Sequence, residues 1–226
     1  EVVHREFYRD QGEQRFVRDR VIPTSRGTIV DRNGEPLAIS TPIDSLWAVP
    51  QQVLDDADQL PALAHALGMD VDTLQQFLTD RAEKEFVYLR RHVPPEVSDA
   101  VMALKVPGVN VQREYKRYYP AGQVFAQVLG VTNVDDQGAE GVELAFNEWL
   151  TGTPGLKRVI QNLRGEVVEN VEQVREPAPG RELKLSLDHR LQYLAFRELG
   201  NGVTANKATS GSMVILDVAT GEILAM

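Results

Sequence analysis

Thr204 and Lys207 place a hydroxyl three residues ahead of an amine, the spacing at which a lysine takes the proton of an attacking hydroxyl. The pair closes a helical pattern just before Gly211, where a lysine complements the negative end of the helix dipole, so we read it as a helix terminus. The serines, Ser25, Ser40, Ser45, Ser98, Ser186, Ser210 and Ser212, carry no nucleophile signature: none sits in Gly-x-Ser-x-Gly and none has lysine three places on. His4, His65, His92 and His189 lack the i, i+4 pairing of a helical zinc site, and the chain has no cysteine, so thiolate ligands and disulfides are excluded. Asp55-Asp56-Ala57-Asp58 begins like a calcium loop but has neither the glycine at the sixth position nor the glutamate at the twelfth, and reads as a solvated helix end. There is no phosphate-cradling Gly-x-x-x-x-Gly-Lys loop. By motif, the chain holds no catalytic residue, no metal site and no cofactor site.

The charges that remain to be explained sit in Arg26-Gly27-Thr28-Ile29-Val30-Asp31-Arg32-Asn33-Gly34-Glu35-Pro36-Leu37-Ala38. Two apolar runs flank Asn33-Gly34, a pair that tolerates positive φ, and this predicts a β-hairpin with a tight two-residue turn. Arg26 and Arg32 stand at either end of the first arm and Asp31 beside the turn. Charges within a packed sheet are costly unless paired, so their partners must come from elsewhere in the chain.

The elements around this hairpin alternate. Residues 1 to about 20 read as a short helical lead and an extended arm. Trp47 is expected to anchor a core near the strand or loop of Ile39 to Val49. From Pro50 to Asp80 the period becomes helical: Leu60, Leu63, Ala64 and Leu67 share a face, Gly68 stops that segment, and Asp70 or Asp72 caps the next. A strand from Glu85 to Val93, a helix entered through Pro94-Pro95, and an extended run from Val109 to Tyr119 follow. Val124 to Leu129 is a short apolar segment. Glu140 to Leu150 reads as one helix burying Val142, Leu144, Ala145, Phe146 and Trp149. Two strands turning at Arg164-Gly165 lead to Glu176-Pro177-Ala178-Pro179-Gly180, where we expect a domain boundary. Beyond it come a strand at Leu183 to Leu187, a helix capped by Asp188 with Leu191, Leu194, Ala195 and Leu199 on one stripe, and a hairpin around Thr220-Gly221. The alternation predicts an α+β fold.

With 226 residues, 42% hydrophobic and 25% charged, the chain can bury a core. A net charge of -9 opposes a general nucleic-acid role, which needs a concentrated positive surface. No stretch approaches the ~20 apolar residues of a membrane span. The chain opens at Glu1 inside a charged stretch and stops at Met226 inside a strand pattern, and we expect an excised piece whose anchor and remaining domain lie outside it.

Four stretches together resemble the class B penicillin-binding proteins, the division (septal) type of Gram-negative bacteria most closely. Arg26 to Asn33-Gly34 with Leu37-Ala38 is similar to that family's first non-catalytic motif. Arg117-Tyr118-Tyr119-Pro120-Ala121-Gly122 with Ala126 and Gly130 is similar to the second. Gly138-Ala139-Glu140-Gly141-Val142-Glu143, followed by Leu150-Thr151-Gly152 and Gly155, is similar to the third. Gly211 to Asp217 with Thr220 to Met226 resembles the strands that open a transpeptidase fold. The short connection from Gly130 to Glu140 is closer to the division type than to the elongation type, whose loop is generally longer.

The resemblance implies a protein on the periplasmic face of the inner membrane, anchored by an N-terminal helix. Residues 1–20 would be a membrane-proximal lead, 21–180 a non-catalytic pedestal of the dimerisation type with a helical insert at about 50–105, and 181–226 the first helix and strands of a truncated transpeptidase domain. It implies a serine in Ser-x-x-Lys, beyond Met226, that acylates on the penultimate D-Ala of a peptidoglycan stem peptide and is trapped by β-lactams. Implied partners are the septal glycosyltransferase and divisome regulators, with no nucleic acid and no cofactor. An elongation-type enzyme and a stand-alone periplasmic scaffold are the alternatives.

Within this frame we expect Arg26 and Arg117 to converge on Glu143, with Asp31, Arg32 and Glu140 nearby, because a guanidinium fork meets a carboxylate at two points and fixes orientation. Gly27, Gly34, Pro120, Gly122 and Gly141 are the expected structural turns. The strands from Gly211 to Met226 are expected to lack sheet neighbours, and so to be disordered or paired with another copy.

Overall fold

A computed structural model describes residues 17–161 and 167–226, and the chain adopts a mixed α+β fold. The helical lead read before residue 17 and the turn read at Arg164-Gly165 lie outside the described residues. The chain divides into two compact units, each assembled from separated stretches.

Of the described residues, one unit combines 17–23, 42–115, 154–161 and 167–177. Its core is the helical insert. Helix Leu60–Leu67 buries Leu60, Leu63, Ala64 and Leu67 and ends at Gly68, whose φ of 66 lets its N–H and that of Met69 turn back onto the carbonyls of His65 and Ala64. Helix Val71–Thr79 starts where the Asp70 carboxylate accepts the Thr73 N–H, so Asp70 rather than Asp72 is the cap. Leu74 and Leu78 face Val53, Val101, Val106 and Val109 in one apolar cluster. Strand Val87–Val93 pairs antiparallel with the distal half of Pro36–Ala48, placing Leu46 and Ala48 in this core. Trp47 lies between them on the other face of the pleat, half-buried and stacked on Phe86 with ring centroids 4.9 Å apart; it is not the core anchor its size predicts, because side chains alternate along a strand. Val17–Ile22, Gly155–Gln161 and Val167–Arg175 form an antiparallel sheet in that order from one edge.

The other unit combines 24–41, 116–153 and 178–226. Ile29, Leu37, Ala38, Phe125, Leu129, Leu150 and Leu187 form its core. Ile29–Val30 pairs antiparallel with the start of Pro36–Ala48 and parallel with Leu183–Lys184. The connection is not the predicted two-residue turn. Gly34 donates to the Asp31 carbonyl at 3.1 Å, only Gly34 has positive φ (90), and the register shifts by one residue, the pattern of a three-residue loop with a bulge. The reason is Asp31, whose carboxylate Oδ1 accepts the N–H groups of Asn33 at 2.7 Å and Glu35 at 2.9 Å and so shapes the loop from within.

The helix predicted at Glu140 to Leu150 is two short ones, Gly141–Ala145 and Asn147–Leu150, separated by Phe146 at φ −110 and ψ 25. Its expected buried face is turned outward: Leu144, Ala145, Phe146 and Trp149 are exposed, while Glu143 and Leu150 are fully buried. Glu143 and Leu150, seven residues apart, point inward, and Val142 of the expected face packs partly buried against the core. Val124 to Leu129 lies within helix Gln123–Leu129. Helix His189–Ala205 is capped by Asp188, which accepts the Arg190 and Leu191 N–H groups, but it buries Gln192 and Ala195 and leaves Leu194 exposed. Ile215–Leu216 and Ile223–Ala225 pair antiparallel with each other as the hairpin expected around Thr220-Gly221, and the Gln192 amide exchanges two hydrogen bonds with the Met226 main chain.

Candidate functional site

Glu143 is 0% exposed, and burying a carboxylate without partners costs several kcal/mol. It is held from both sides. Arg26 Nε donates to its Oε2 at 2.7 Å and Arg117 Nε to its Oε1 at 2.7 Å, and both guanidinium groups are themselves buried. Arg26 spends its remaining donors on the surroundings of the same turn: Nη2 to the Glu143 main-chain carbonyl at 2.8 Å, and Nη1 to Asn147 Oδ1 at 2.9 Å, Thr151 Oγ1 at 3.0 Å and the Asp136 carbonyl at 3.2 Å. Arg117 Nη1 reaches Ser40 Oγ at 3.2 Å. Charge-assisted bonds of this kind are roughly twice as strong as neutral ones.

Local structure delivers each member. Arg26 precedes Gly27, which must be glycine: its N–H donates to the Leu150 carbonyl at 2.8 Å, and a Cβ there would lie 1.9 Å from the Arg181 carbonyl oxygen. Arg117 sits at the end of strand Val109–Tyr118, immediately before the Tyr119-Pro120-Ala121-Gly122 turn, in which Gly122 donates back to the Tyr119 carbonyl at 3.1 Å. Gly122 and Gly141 both have positive φ, 52 and 57, at the starts of their helices. The Tyr119 hydroxyl stands 3.5 Å from Glu143 Oε1, and burial together with the Glu143 charge raises its pKa.

The structure therefore brings Arg26, Arg117 and Glu143 together and leaves the other three expected members outside. Asp31 is buried at a second centre, where its Oδ2 accepts the His189 N–H at 3.1 Å and so joins the hairpin to the start of helix His189–Ala205. Burial alone would raise its pKa, but the N–H groups of Glu35, His189 and Asn33 outweigh it and the net shift is downward. Among the described residues Arg32 pairs with Glu222, at 3.4 Å and with both side chains partly in solvent. Glu140 is exposed, and its carbonyl accepts the Leu144 N–H at 3.0 Å.

Sequence reasoning missed Asn147, Thr151, Ser40 and Asp136. Asn147 is the connector, since its Oδ1 also accepts the Gly138 N–H at 2.8 Å. Asp136 adopts φ 58, and its Oδ1 is buried without a hydrogen-bond partner. Burial pushes its pKa up to about 6, against the pull of Arg117 and Arg26 and with a smaller push from Glu143. No spacing rule marks these residues, because their roles depend on where Arg26 Nη1 and, for Ser40, Arg117 Nη1 point. Chemically the cluster is a clamp: arginine stays protonated across the working range, so it positions charge without moving a proton.

The sequence profile of the penicillin-binding protein dimerisation domain matches residues 21–185. Peptidoglycan D,D-transpeptidase FtsI of Escherichia coli K12 is 45% identical over 221 residues, covering 96% of this chain. The probable peptidoglycan D,D-transpeptidase PenA of Neisseria meningitidis is 39% identical over 224 residues, covering 97% of it. The chain spans 37% and 38% of the length of these two relatives. Penicillin-binding protein PBP2 of Helicobacter pylori, solved in a complex with MreC, superposes with a TM-score of 0.66 at 22% identity, over 92% of this chain and 42% of that one, a likeness of fold.

Proposed function

This chain belongs to the penicillin-binding protein dimerisation-domain family, and from that premise we propose that it is the N-terminal, non-catalytic part of a septal peptidoglycan D,D-transpeptidase. The observation that carries the reading is the clamp: residues from all three pedestal motifs, Arg26, Arg117 and Glu143, are locked in one buried ionic cluster. Such a cluster suits a support that fixes the attitude of a working domain. The 45% identity to a relative named as a transpeptidase supports that class for the domain.

On this reading residues 21–180 are the pedestal, with a helical insert at about 50–105, residues 181–226 begin the transpeptidase domain, and 1–20 lead toward the membrane. In that domain a serine of Ser-x-x-Lys attacks the penultimate D-Ala carbonyl, the terminal D-Ala leaves with the proton, and an amine of a neighbouring stem peptide displaces the serine to complete the cross-link. The protein works at the periplasmic face of the inner membrane through an N-terminal helix; among the described residues, no helix is long and apolar enough to cross a membrane. The pedestal contacts the septal glycosyltransferase and divisome regulators. A penicillin-binding protein structure in complex with MreC supports partner binding by proteins of this fold.

Fluorescent penicillin tests the reading. The 226-residue chain should remain unlabelled while the full encoded product is acylated and gathers at midcell in dividing cells. A full product that takes no label overturns the transpeptidase assignment, and one confined to the lateral wall overturns the septal one.

A further inference from the structure

Beside the clamp, the helices Gly141–Ala145 and Asn147–Leu150 and the segment 178–181 enclose a groove of about 820 Å³, within the ~300–1,000 Å³ of sites that hold small ligands. Its walls are fixed before anything binds. Thr153 and Ala178 exchange main-chain hydrogen bonds of 2.8 and 2.9 Å, Arg181 N donates to the Trp149 carbonyl at 3.2 Å, and Gly180 N donates to the Ser25 carbonyl at 2.9 Å. A rigid wall spares a ligand much of the ordering cost of binding.

Two aromatic rings stay in solvent there. Trp149 is 45% and Phe146 44% exposed. The indole is held in place, with Nε1 donating to the Glu182 carbonyl at 3.0 Å and the Arg181 guanidinium 4.8 Å from the ring centre. Around the rings, Glu148, Thr153 and Arg181 present a carboxylate, a hydroxyl and a guanidinium, none of which has a side-chain hydrogen-bond partner among the described residues. Glu148 and Arg181 sum to zero charge, so an acidic or a basic peptide meets one like charge, whereas a neutral ligand rich in hydroxyls satisfies both. A pyranose adds an apolar C–H face that lies against an aromatic ring.

We propose that this groove binds a neutral glycan strand of N-acetylated amino sugars through Phe146, Trp149, Glu148, Thr153 and Arg181. Naming the sugar rests on the transpeptidase reading; the polar-aromatic, charge-balanced lining does not. Asn147 and Thr151 line the same groove and hold Arg26 Nη1 at 2.9 and 3.0 Å, so a bound strand lies directly against the clamp. The pedestal would then hold the glycan as well as the catalytic domain.

The test is a titration of the ¹⁵N-labelled 226-residue chain with tetra-N-acetylchitotetraose, read at the indole N–H signals of its two tryptophans, Trp47 and Trp149. Trp149→Phe identifies the signal that belongs to the groove. We expect that signal to shift saturably while Trp47 stays still, and Arg181→Ala to weaken binding by about tenfold. No shift up to about 10 mM sugar overturns the proposal, as does unchanged affinity in Arg181→Ala, or a response to a tetrapeptide with none to the sugar. A full-length product that labels with penicillin beside a silent groove rejects this inference alone; an unlabelled product beside a responding groove rejects only the transpeptidase assignment.

Discussion

Arg26 grips Glu143 twice, through the carboxylate at 2.7 Å and through the main-chain carbonyl of the same residue at 2.8 Å. The first contact answers the charge and the second requires the helical turn to be formed. Arg117 takes the other carboxylate oxygen at 2.7 Å, so the segments around residues 26, 117 and 143 are joined at a single side chain. A buried pair stabilises little relative to an apolar substitute, but it punishes the loss of one partner heavily.

Glu143→Ala strands two buried guanidinium groups, and we expect a loss of about 3–5 kcal/mol in urea unfolding. Arg26→Lys keeps the charge but removes the fork, and should lose at least ~2 kcal/mol with the Asn147 and Thr151 contacts. A Glu143→Ala loss below ~1 kcal/mol, the range of exposed ion pairs, would mean that the cluster carries no structural load.

The clamp was partly legible because its charges stand inside apolar hairpin and helix patterns where nothing local pairs them. Helix ends were legible for a related reason: Asp70, Asp188 and Gly68 act within a few residues of their own position. Asn147, Thr151 and Asp136 were not, since a neutral amide, a hydroxyl and a loop carbonyl acquire their role only from the direction of Arg26 Nη1. Asp31 and Arg32 were misplaced because adjacency to Arg26 in sequence is not adjacency in space. The strand between them is only Ile29–Val30, Asp31 is claimed by its own loop and by His189, and Arg32 turns to Glu222.

Asp136 makes a pH-dependent prediction. Its pKa rises to about 6 in the fold, so the protein binds that proton more tightly than the unfolded chain does. The resulting stabilisation is complete below the unfolded value of about 4 and is lost as pH rises through about 6. Asp136→Asn keeps the shape without the charge, and its stability relative to the parent should be about 1 kcal/mol more favourable at pH ~7.5 than at pH ~5, allowing for partial exposure. Equal differences at both values would remove the burial argument.

Asp31 shifts the other way. Its folded pKa is lowered, so its contribution is present above the unfolded value of about 4 and lost as pH falls through the folded one. Asp31→Asn should cost about 2 kcal/mol at pH ~7, and the gap from the parent should narrow in unfolding curves taken below pH ~4. A gap that widens in acid contradicts the hydrogen-bond account of this centre.

Two glycines separate backbone conformation from space. Gly27→Ala drives a Cβ to 1.9 Å from a carbonyl oxygen, and should cost about 3 kcal/mol or leave the chain unable to fold. Gly34→Ala meets open space at φ 90, and should cost only ~1–2 kcal/mol. Thermal unfolding ranks the pair, and the reverse order would refute the contact drawn between Gly27 and Arg181.

The reversal of the helix face gives the last prediction. A continuous helix from Glu140 to Leu150 would bury Leu144 and make it as costly to replace as any core leucine. The structure instead turns Glu143 and Leu150 inward, leaving Leu144 54% exposed and Leu150 fully buried. Leu144→Ser should therefore change stability by no more than ~0.5 kcal/mol, while Leu150→Ala should cost about 2–5 kcal/mol, both read from denaturant midpoints at unchanged slope. Comparable losses at the two positions would restore the predicted apolar face and expel Glu143 from the interior. The buried carboxylate, and the clamp built on it, depend on Leu144 facing water.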